Sequence, residues 1–526
     1  MKHIIAYFLG AIFFVSLLAG CTKDLDRIPT NDKTADEVYS TPDGYKAAFA
    51  KVYGAFAMTG NNGEGSGDIQ GIDPGTSDFF RLYWNAQELS TDEAVVAWGD
   101  AGIQDFHNMN WTSTNPFLTG LYYRSLYQIT LANDFIRQSA DDKVSARGIK
   151  GGDADAIKAY AAEARFIRAY QYWVLMDLFG NPPFVTEEDK VGDIPEQISR
   201  ADLFTYVESE LKDIEGKLPA PKSNEYGRAD KAAAWALLAR MYLNAKVYTG
   251  QDHYTDAITY AKKVIDAGYS LESNYRWLML ADNNLNTNEF ILTINYDGLK
   301  TKNYGGTTYL NHASVGGSMS ASNYGVGGGW AGLRITKNVP NLFPDYSGDA
   351  DTRAQFYTSG QNIDIDNQSV FTDGFAVYKF RNVKRDGTAG QSLDFADVDI
   401  PVFRLAEMYL IYAEAVLRGG SGGDNATALG YINALRQRAY GNNSGNINQG
   451  DLTLDFILDE RARELYWEGF RRTDLVRYGK FTSGSYLWPW KGGVKSGTAV
   501  PDYRNLYPLP LKDMSVNPHL DQNPNY

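Results

Sequence analysis

The chain offers little that could run a catalytic cycle. Its five histidines, His3, His107, His253, His312 and His519, are scattered, and no two stand at metal-ligand spacing. Each reads as a core or surface residue. Gly419-Gly420-Ser421-Gly422-Gly423 has the form of a nucleophile elbow, which needs a strand before it and a helix after it. A helical apolar period precedes this run, so a turn between helices is the better reading. Gly327, Gly329 and Gly332 match a dinucleotide fingerprint by spacing, without the βαβ unit that gives it meaning. No phosphate-binding loop ending in Gly-Lys-Ser/Thr occurs. Asp92 and Glu93 lie near an aromatic residue, as a glycosidase pair would. Neighbours in sequence rarely face each other across a bond, so a solvated loop or a hydrogen bond to sugar is expected there instead. Asp282-Asn283-Asn284 with Asn286 and Glu289 offers oxygens that calcium would take. A polar surface loop is the better reading, and no cofactor is expected. The chain is read as a non-enzyme.

Binding chemistry is better supplied. Aromatic residues make up 13% of the chain, with 36 Tyr, 25 Phe and 10 Trp, and an exposed Tyr or Trp usually binds something. The net charge of -14 opposes nucleic-acid phosphate as a partner but not a neutral sugar. Two stretches rich in glycine, Asn61 to Asp78 and Asn303 to Gly332, read as long loops, the second barred from regular helix by its glycines. Long loops on a rigid scaffold are where binding residues usually sit.

The scaffold that must hold them is helical. Tyr254, Ala257, Ile258, Ala261, Val264 and Ile265 fall on one helical face, and Gly268 follows as a stop. Ala428, Tyr431, Ile432 and Leu435 repeat the spacing. Ala161 to Leu178 is apolar nearly all round and predicts a buried helix. Asp230–Asn244, Arg404–Leu417 and Leu454–Trp467 complete the set. Asp230–Asn244 pairs with Tyr254–Ala267 and Arg404–Leu417 with Asn425–Ala439, short joints apart, in the manner of tetratricopeptide units. The expectation is a mostly α fold of helical pairs with long irregular loops, the loop-rich insertion running over about 270–400.

The N-terminus adds an address. Lys2 precedes an apolar stretch from Ile4 to Leu18, and Leu18-Ala19-Gly20-Cys21 resembles the lipobox of bacterial lipoproteins. Residues 1–20 read as a signal peptide, Cys21 as the lipidated first residue of the mature chain, and 21–526 as one domain. Cys21 is the only cysteine, so no disulfide forms within the chain. After it, no apolar stretch is long enough to span a bilayer.

The ordered motifs resemble the SusD (RagB/SusD) family of nutrient-binding outer-membrane lipoproteins over nearly the whole mature chain. They include Leu25-Asp26, Glu163 to Ala169 leading to Leu178-Phe179-Gly180-Asn181-Pro182-Pro183, Gly227 to Lys231, Phe403 to Glu407, Glu460 to Leu465 with Arg471 to Leu475, and Gln522 to Tyr526. Their charges (Glu163, Arg165, Arg404, Glu407, Glu460, Arg461, Arg471, Asp474) read as pairs bridging packed helices. Asn303 to Leu310 and Tyr486 to Gly493 resemble the starch-binding member. That resemblance implies an aromatic arc of Trp98, Tyr304 and Trp330 cupping starch or malto-oligosaccharide, with Arg81 donating to hydroxyls as a planar fork. Where that member has a polar amide shortly after the first Trp, this chain has Gly99-Asp100-Ala101, so Asp100 stands as the substitute. It further implies a SusC-type TonB-dependent transporter as partner, attachment to the outer membrane by lipid, and display at the cell surface. The alternative is that Trp98 and Trp330 are buried plugs beneath loops.

Overall fold

The computed structural model describes residues 34–526, so the apolar leader and Cys21 lie outside the described residues. The helices are α1 (Pro42–Gly54), α2 (Phe79–Glu88), α3 (Pro116–Gln138), α4 (Gly152–Leu178), α5 (Arg200–Ile214), α6 (Lys231–Thr249), α7 (Tyr254–Ile265), α8 (Gly306–Ala313), α9 (Leu405–Leu417), α10 (Asn425–Tyr440), α11 (Leu454–Leu465) and α12 (Arg471–Arg477). Shorter helices, among them Ala35–Val38, Asp105–Asn108, Asp141–Ala146 and Leu511–Val516, and turns lie between and beside them. The strands used below are β1 (Ala94–Val96), β2 (Phe290–Ile294), β3 (Leu333–Ile335) and β4 (Ile400–Arg404).

Local chemistry sets the helix ends. The Asp230 side chain accepts from the Ala232 and Ala233 amides to start α6, and Gly250 in the left-handed region ends it. Asn115 caps α3 through the Phe117 and Leu118 amides, with Pro116 at the first helical position. Asp424 opens α10 and Gly441 closes it. Packing then follows the pairs legible in the sequence. α6 lies against α7 and α9 against α10, and α7 packs on α9, so one hairpin stacks on the next. α3 packs on α4 and α4 on α5 at the other side of the body. The result is a mostly α, tetratricopeptide-like scaffold, and one apolar core runs through it from Tyr39 to Leu520.

Several boundaries differ from the sequence reading: α4 starts earlier, at Gly152, and α6 runs on to Thr249. Arg404 closes β4, which pairs antiparallel with β2, and the helix starts one residue later. α11 stops at Leu465 because the chain leaves the helix at Tyr466, at ψ 143°, and Trp467 follows at φ 67°. The Gly-rich stretch contains a true helix, α8, buried along its whole length. Its glycines cluster at the ends, and the interior Thr307 to Ala313 carries none.

The charged residues tie the scaffold together. Buried Arg404 contacts Glu289, Glu464 and Glu468, joining β2, β4 and α11. Arg353 bonds Asp351 and Glu460, Arg240 bonds Glu407, Arg461 bonds Asp474, and Arg228 bonds Glu163. Burial raises the Glu464 carboxyl, but Arg438, Arg404 and Arg353 outweigh it and hold it at about 2. Arg165 sits nearer the surface, between Glu210 and Asp213.

Candidate functional site

Asp92 and Glu93 are neither a solvated loop nor a sugar contact. Both are buried between α2 and β1. Asp92 holds Arg471 at 2.7 Å through both oxygens and accepts from the Tyr486 hydroxyl. Glu93 accepts from the Trp467 amide at 2.9 Å, and Glu88 from the Gly469 and Phe470 amides. Burial and the charge of Glu88 push the Glu93 carboxyl up, and burial takes Glu88 to about 7. These carboxyls fasten α12 and the Trp467 turn to the site strand, out of reach of a substrate. Of the group from Asp282 to Glu289, Asn284 is exposed and Asp282 half-buried, as a polar surface loop would have them, whereas Asn283, Asn286 and Glu289 are buried. The Asn283 and Asn286 amides donate to the carbonyls of Leu278, Asp399 and Trp277, while Glu289 pairs with Arg404 and Arg438. Among the described residues, no cluster of His, Cys, Asp and Glu could hold a metal ion.

The aromatic arc is assembled by two short strands. β1 and β3 pair antiparallel, with Val96 opposite Leu333 and Ala94 opposite Ile335. The Ala97 amide extends the ladder to the Gly332 carbonyl at 2.8 Å. Trp98 follows the end of β1 and Trp330 precedes the start of β3, so the two indoles emerge side by side although 232 positions separate them. The Trp98 Nε1 donates to the Trp330 carbonyl at 3.0 Å. Their ring centroids are 6.4 Å apart with planes 48° to each other. On the other flank of Trp330 stands Tyr304, 6.2 Å away and tilted by 57°. Trp330 is the middle ring, tilted against each of its two neighbours.

Both indoles are half-buried, packed on one side against the core, and Tyr304 is 40% exposed. Each ring rests on another ring behind it. Tyr309 of α8 lies 5.9 Å from Trp98, His312 of the same helix stacks on Trp330 at 4.7 Å and 20°, and Phe395 lies 5.4 Å from Tyr304. Tyr309 and His312 are three residues apart and so share a helix face. The sequence reading passed over this second tier because it treated the stretch containing α8 as loop. The i, i+3 aromatic pair in Thr307-Thr308-Tyr309-Leu310-Asn311-His312 was the available signal.

Close approach explains the glycines. A Cβ on Gly332 would stand 2.5 Å from the Trp98 indole, and one on Gly305 would stand 2.0 Å from the Asp78 Cβ. Asp78 caps α2 through the Arg81 amide and accepts from the Gly306 amide at 2.8 Å, joining α2 to the start of α8.

Arg81 is placed differently from expectation. Its side chain is buried under the loops, its guanidinium 4.4 Å from the Tyr309 ring centroid and 5.9 Å from that of Trp98. Nη1 donates to the Gly75 carbonyl at 2.7 Å and the Tyr304 carbonyl at 3.0 Å. Half of the planar fork therefore holds the arc's backbone instead of facing outward, because the buried α2 aims Arg81 beneath Tyr304. Burial lowers its pKa. Asp100 is exposed at the Trp98 end, close enough to Arg81 to oppose that lowering. Two open clefts lie elsewhere, one of about 340 Å³ lined by Phe49, Tyr53, Tyr160 and Arg228, and one of about 550 Å³ lined by Asp297, Asp397 and Asp399. None of the three rings lines either. The three rings stand on an open face of the molecule.

Comparison with known proteins bears on this geometry. A model described as SusD family matches residues 347–526, and one described as starch-binding associating with outer membrane matches residues 79–243. The chain is 37% identical to the Starch-binding protein SusD of Bacteroides thetaiotaomicron, over 100% of this chain and 99% of that protein. It is 27% identical to SusD-like protein P2 of Formosa agariphila, over 74% of this chain and 78% of the relative. Among solved structures, surface glycan-binding protein A from Bacteroides thetaiotaomicron in complex with laminarihexaose shares the fold, with a TM-score of 0.69 at 21% identity, covering 92% of this chain and 99% of that one.

Proposed function

The chain belongs to the SusD family, and on that premise we propose that it is a cell-surface glycan-binding protein whose arc captures starch or malto-oligosaccharide. The observation that carries this reading is the arc itself: three partly exposed rings at spacings of 6.4 and 6.2 Å, with planes stepped by 48° and 57°. A pyranose presents a C–H face to an aromatic ring and hydroxyls around its edge. One stacked ring covers about 60–100 Å² of apolar surface, worth about 2 kcal/mol, and association consumes several kcal/mol. One ring therefore fails to hold a sugar, whereas three in a row hold one weakly. A coiled α-1,4-glucan follows stepped rings, and a flat glucan needs coplanar ones. In this reading Trp98, Trp330 and Tyr304 stack, Asp100 accepts hydroxyl hydrogens, and Arg81 chiefly fixes the loops.

The protein binds and does not cleave. A relative spanning the full chain is named for starch binding, and Asp92 and Glu93 are consumed in holding the scaffold. Cys21 carries the lipid after removal of residues 1–20. Residues 21–526 then form a single domain tethered to the outer membrane at the cell surface. From there it passes glycan to a SusC-like TonB-dependent transporter.

Gel retardation by amylopectin tests the ligand. The wild type is expected to be slowed and a Trp98→Ala, Trp330→Ala double variant to run freely. Equal mobility of the wild type with and without amylopectin overturns the starch assignment. The same scaffold holds laminarihexaose in a relative, so a laminarin gel run beside it decides between an α-glucan and another glycan. A Cys21→Ser variant appearing in the soluble fraction supports the anchor, and one retained at the membrane refutes it.

A further inference from the structure

His312 is the one titratable side chain in the tier behind the arc whose ring lies flat against a binding ring, 4.7 Å from Trp330 with planes 20° apart. It sits in the last turn of α8, and the backbone of the Gly-rich loop folds back onto that turn. The Trp330 amide donates to the His312 carbonyl at 2.8 Å, and the Gly332 amide to the Ala313 carbonyl at 2.8 Å. The His312 Nδ1 lies 2.7 Å from the Gly328 carbonyl. A carbonyl only accepts, so Nδ1 carries the proton and Nε2 is left as a bare acceptor. Nε2 is buried and makes no hydrogen bond in the neutral ring, with the Asp394 carbonyl placed to accept from it once it is protonated. The segment from Val326 to Gly332 contains Gly327, Gly328 and Gly329, which cost the most to hold in one conformation.

We propose that His312 is the positioning residue of the arc: its ring backs Trp330 and its Nδ1–H holds Gly328, so that the middle ring faces the ligand at a fixed tilt. The proposal rests on the glycan-binding reading above. The alternative, a histidine that merely fills core volume, leaves both the flat stack and the bond to Gly328 without consequence for binding. The charged group facing the ring is Asp394, from the neighbouring loop. Its carbonyl and carboxylate favour a second proton, but burial outweighs them and lowers the pKa of His312 below its ordinary value of 6.5. Near neutral pH the ring is therefore uncharged, and acid brings a proton to Nε2 beside the indole.

The test uses the full mature chain, maltoheptaose as probe and titration calorimetry as readout. His312→Ala removes stack and bond and is expected to weaken binding about tenfold, while His312→Phe, which keeps a flat ring and the core volume but loses the bond to Gly328, should fall between that variant and the wild type. A second readout needs no sugar. Trp330 emission, isolated as the difference from Trp330→Phe, should show a quenching transition centred below pH 6.5 in the wild type and none in His312→Phe. His312→Ala binding within about twofold of a wild type that does bind overturns the proposal. So does an emission transition that survives in His312→Phe. If the wild type fails to bind maltoheptaose, the glycan reading falls, and the emission titration still decides whether His312 governs the Trp330 environment.

Discussion

Replacing Trp330 by alanine isolates the contribution of the middle ring. The bond from Trp98 Nε1 ends on the Trp330 carbonyl, and the Trp330 amide bonds the His312 carbonyl. Both are backbone groups that alanine keeps, so the loop stays tied while the indole face is lost. That face covers about 60–100 Å² of sugar at ~25 cal/mol/Å², or about 1.5–2.5 kcal/mol, which is an affinity loss of about 10- to 70-fold. The end rings should matter less, because Trp330 alone touches both others. Calorimetric titration with maltoheptaose measures the loss, and thermal unfolding of the same sample confirms the fold. A loss below about threefold in a folded variant would refute stacking as the source of binding. A loss well above 70-fold would mean that alanine also lets the arc collapse, and Trp330→Phe, keeping a ring, would then recover most of it.

Gly332→Ala should tilt the Trp98 ring, since the new methyl stands 2.5 Å from the indole. Affinity is expected to fall about tenfold with the unfolding temperature little changed, and unaltered binding would show that the tilt of Trp98 is irrelevant. Arg404→Leu strips Glu464 and Glu468 of a buried partner and should lower stability by about 3–5 kcal/mol in urea unfolding; a change under 1 kcal/mol would contradict the network. The Glu88 carboxyl rises from 4.5 to about 7, so the folded state holds a proton there that the unfolded chain gives up near 4.5. Its stabilisation is complete below pH 4.5 and is lost as pH rises through about 7. Glu93→Gln, which removes one carboxylate of that pair, should flatten the decline in unfolding midpoint across this window, and an identical slope in the variant would show the loss comes from elsewhere.

The scaffold could be read from residue order alone, because its information is local. Helical periodicity in Tyr254 to Ile265, capping at Asp230 and Asp424, and alanine-rich faces that pack closely all act within a few turns. The charged motifs from Glu163 to Asp474 announced interhelical pairs because so many charges in apolar helices need partners. What only the tertiary structure decided are the distances across it. Trp98 and Trp330 become neighbours through three residue pairs of the β1–β3 ladder, too few to leave a strand pattern in the sequence. The same closure turned Arg81 inward to hold Gly75 and Tyr304, buried Asp92 and Glu93 beneath α12, and put His312 behind the middle ring. The period and the caps of a helix are written within its own segment, even though its stability comes from packing. An arc built from separate loops exists only when the whole chain has closed, so its members carry no mark of one another until then.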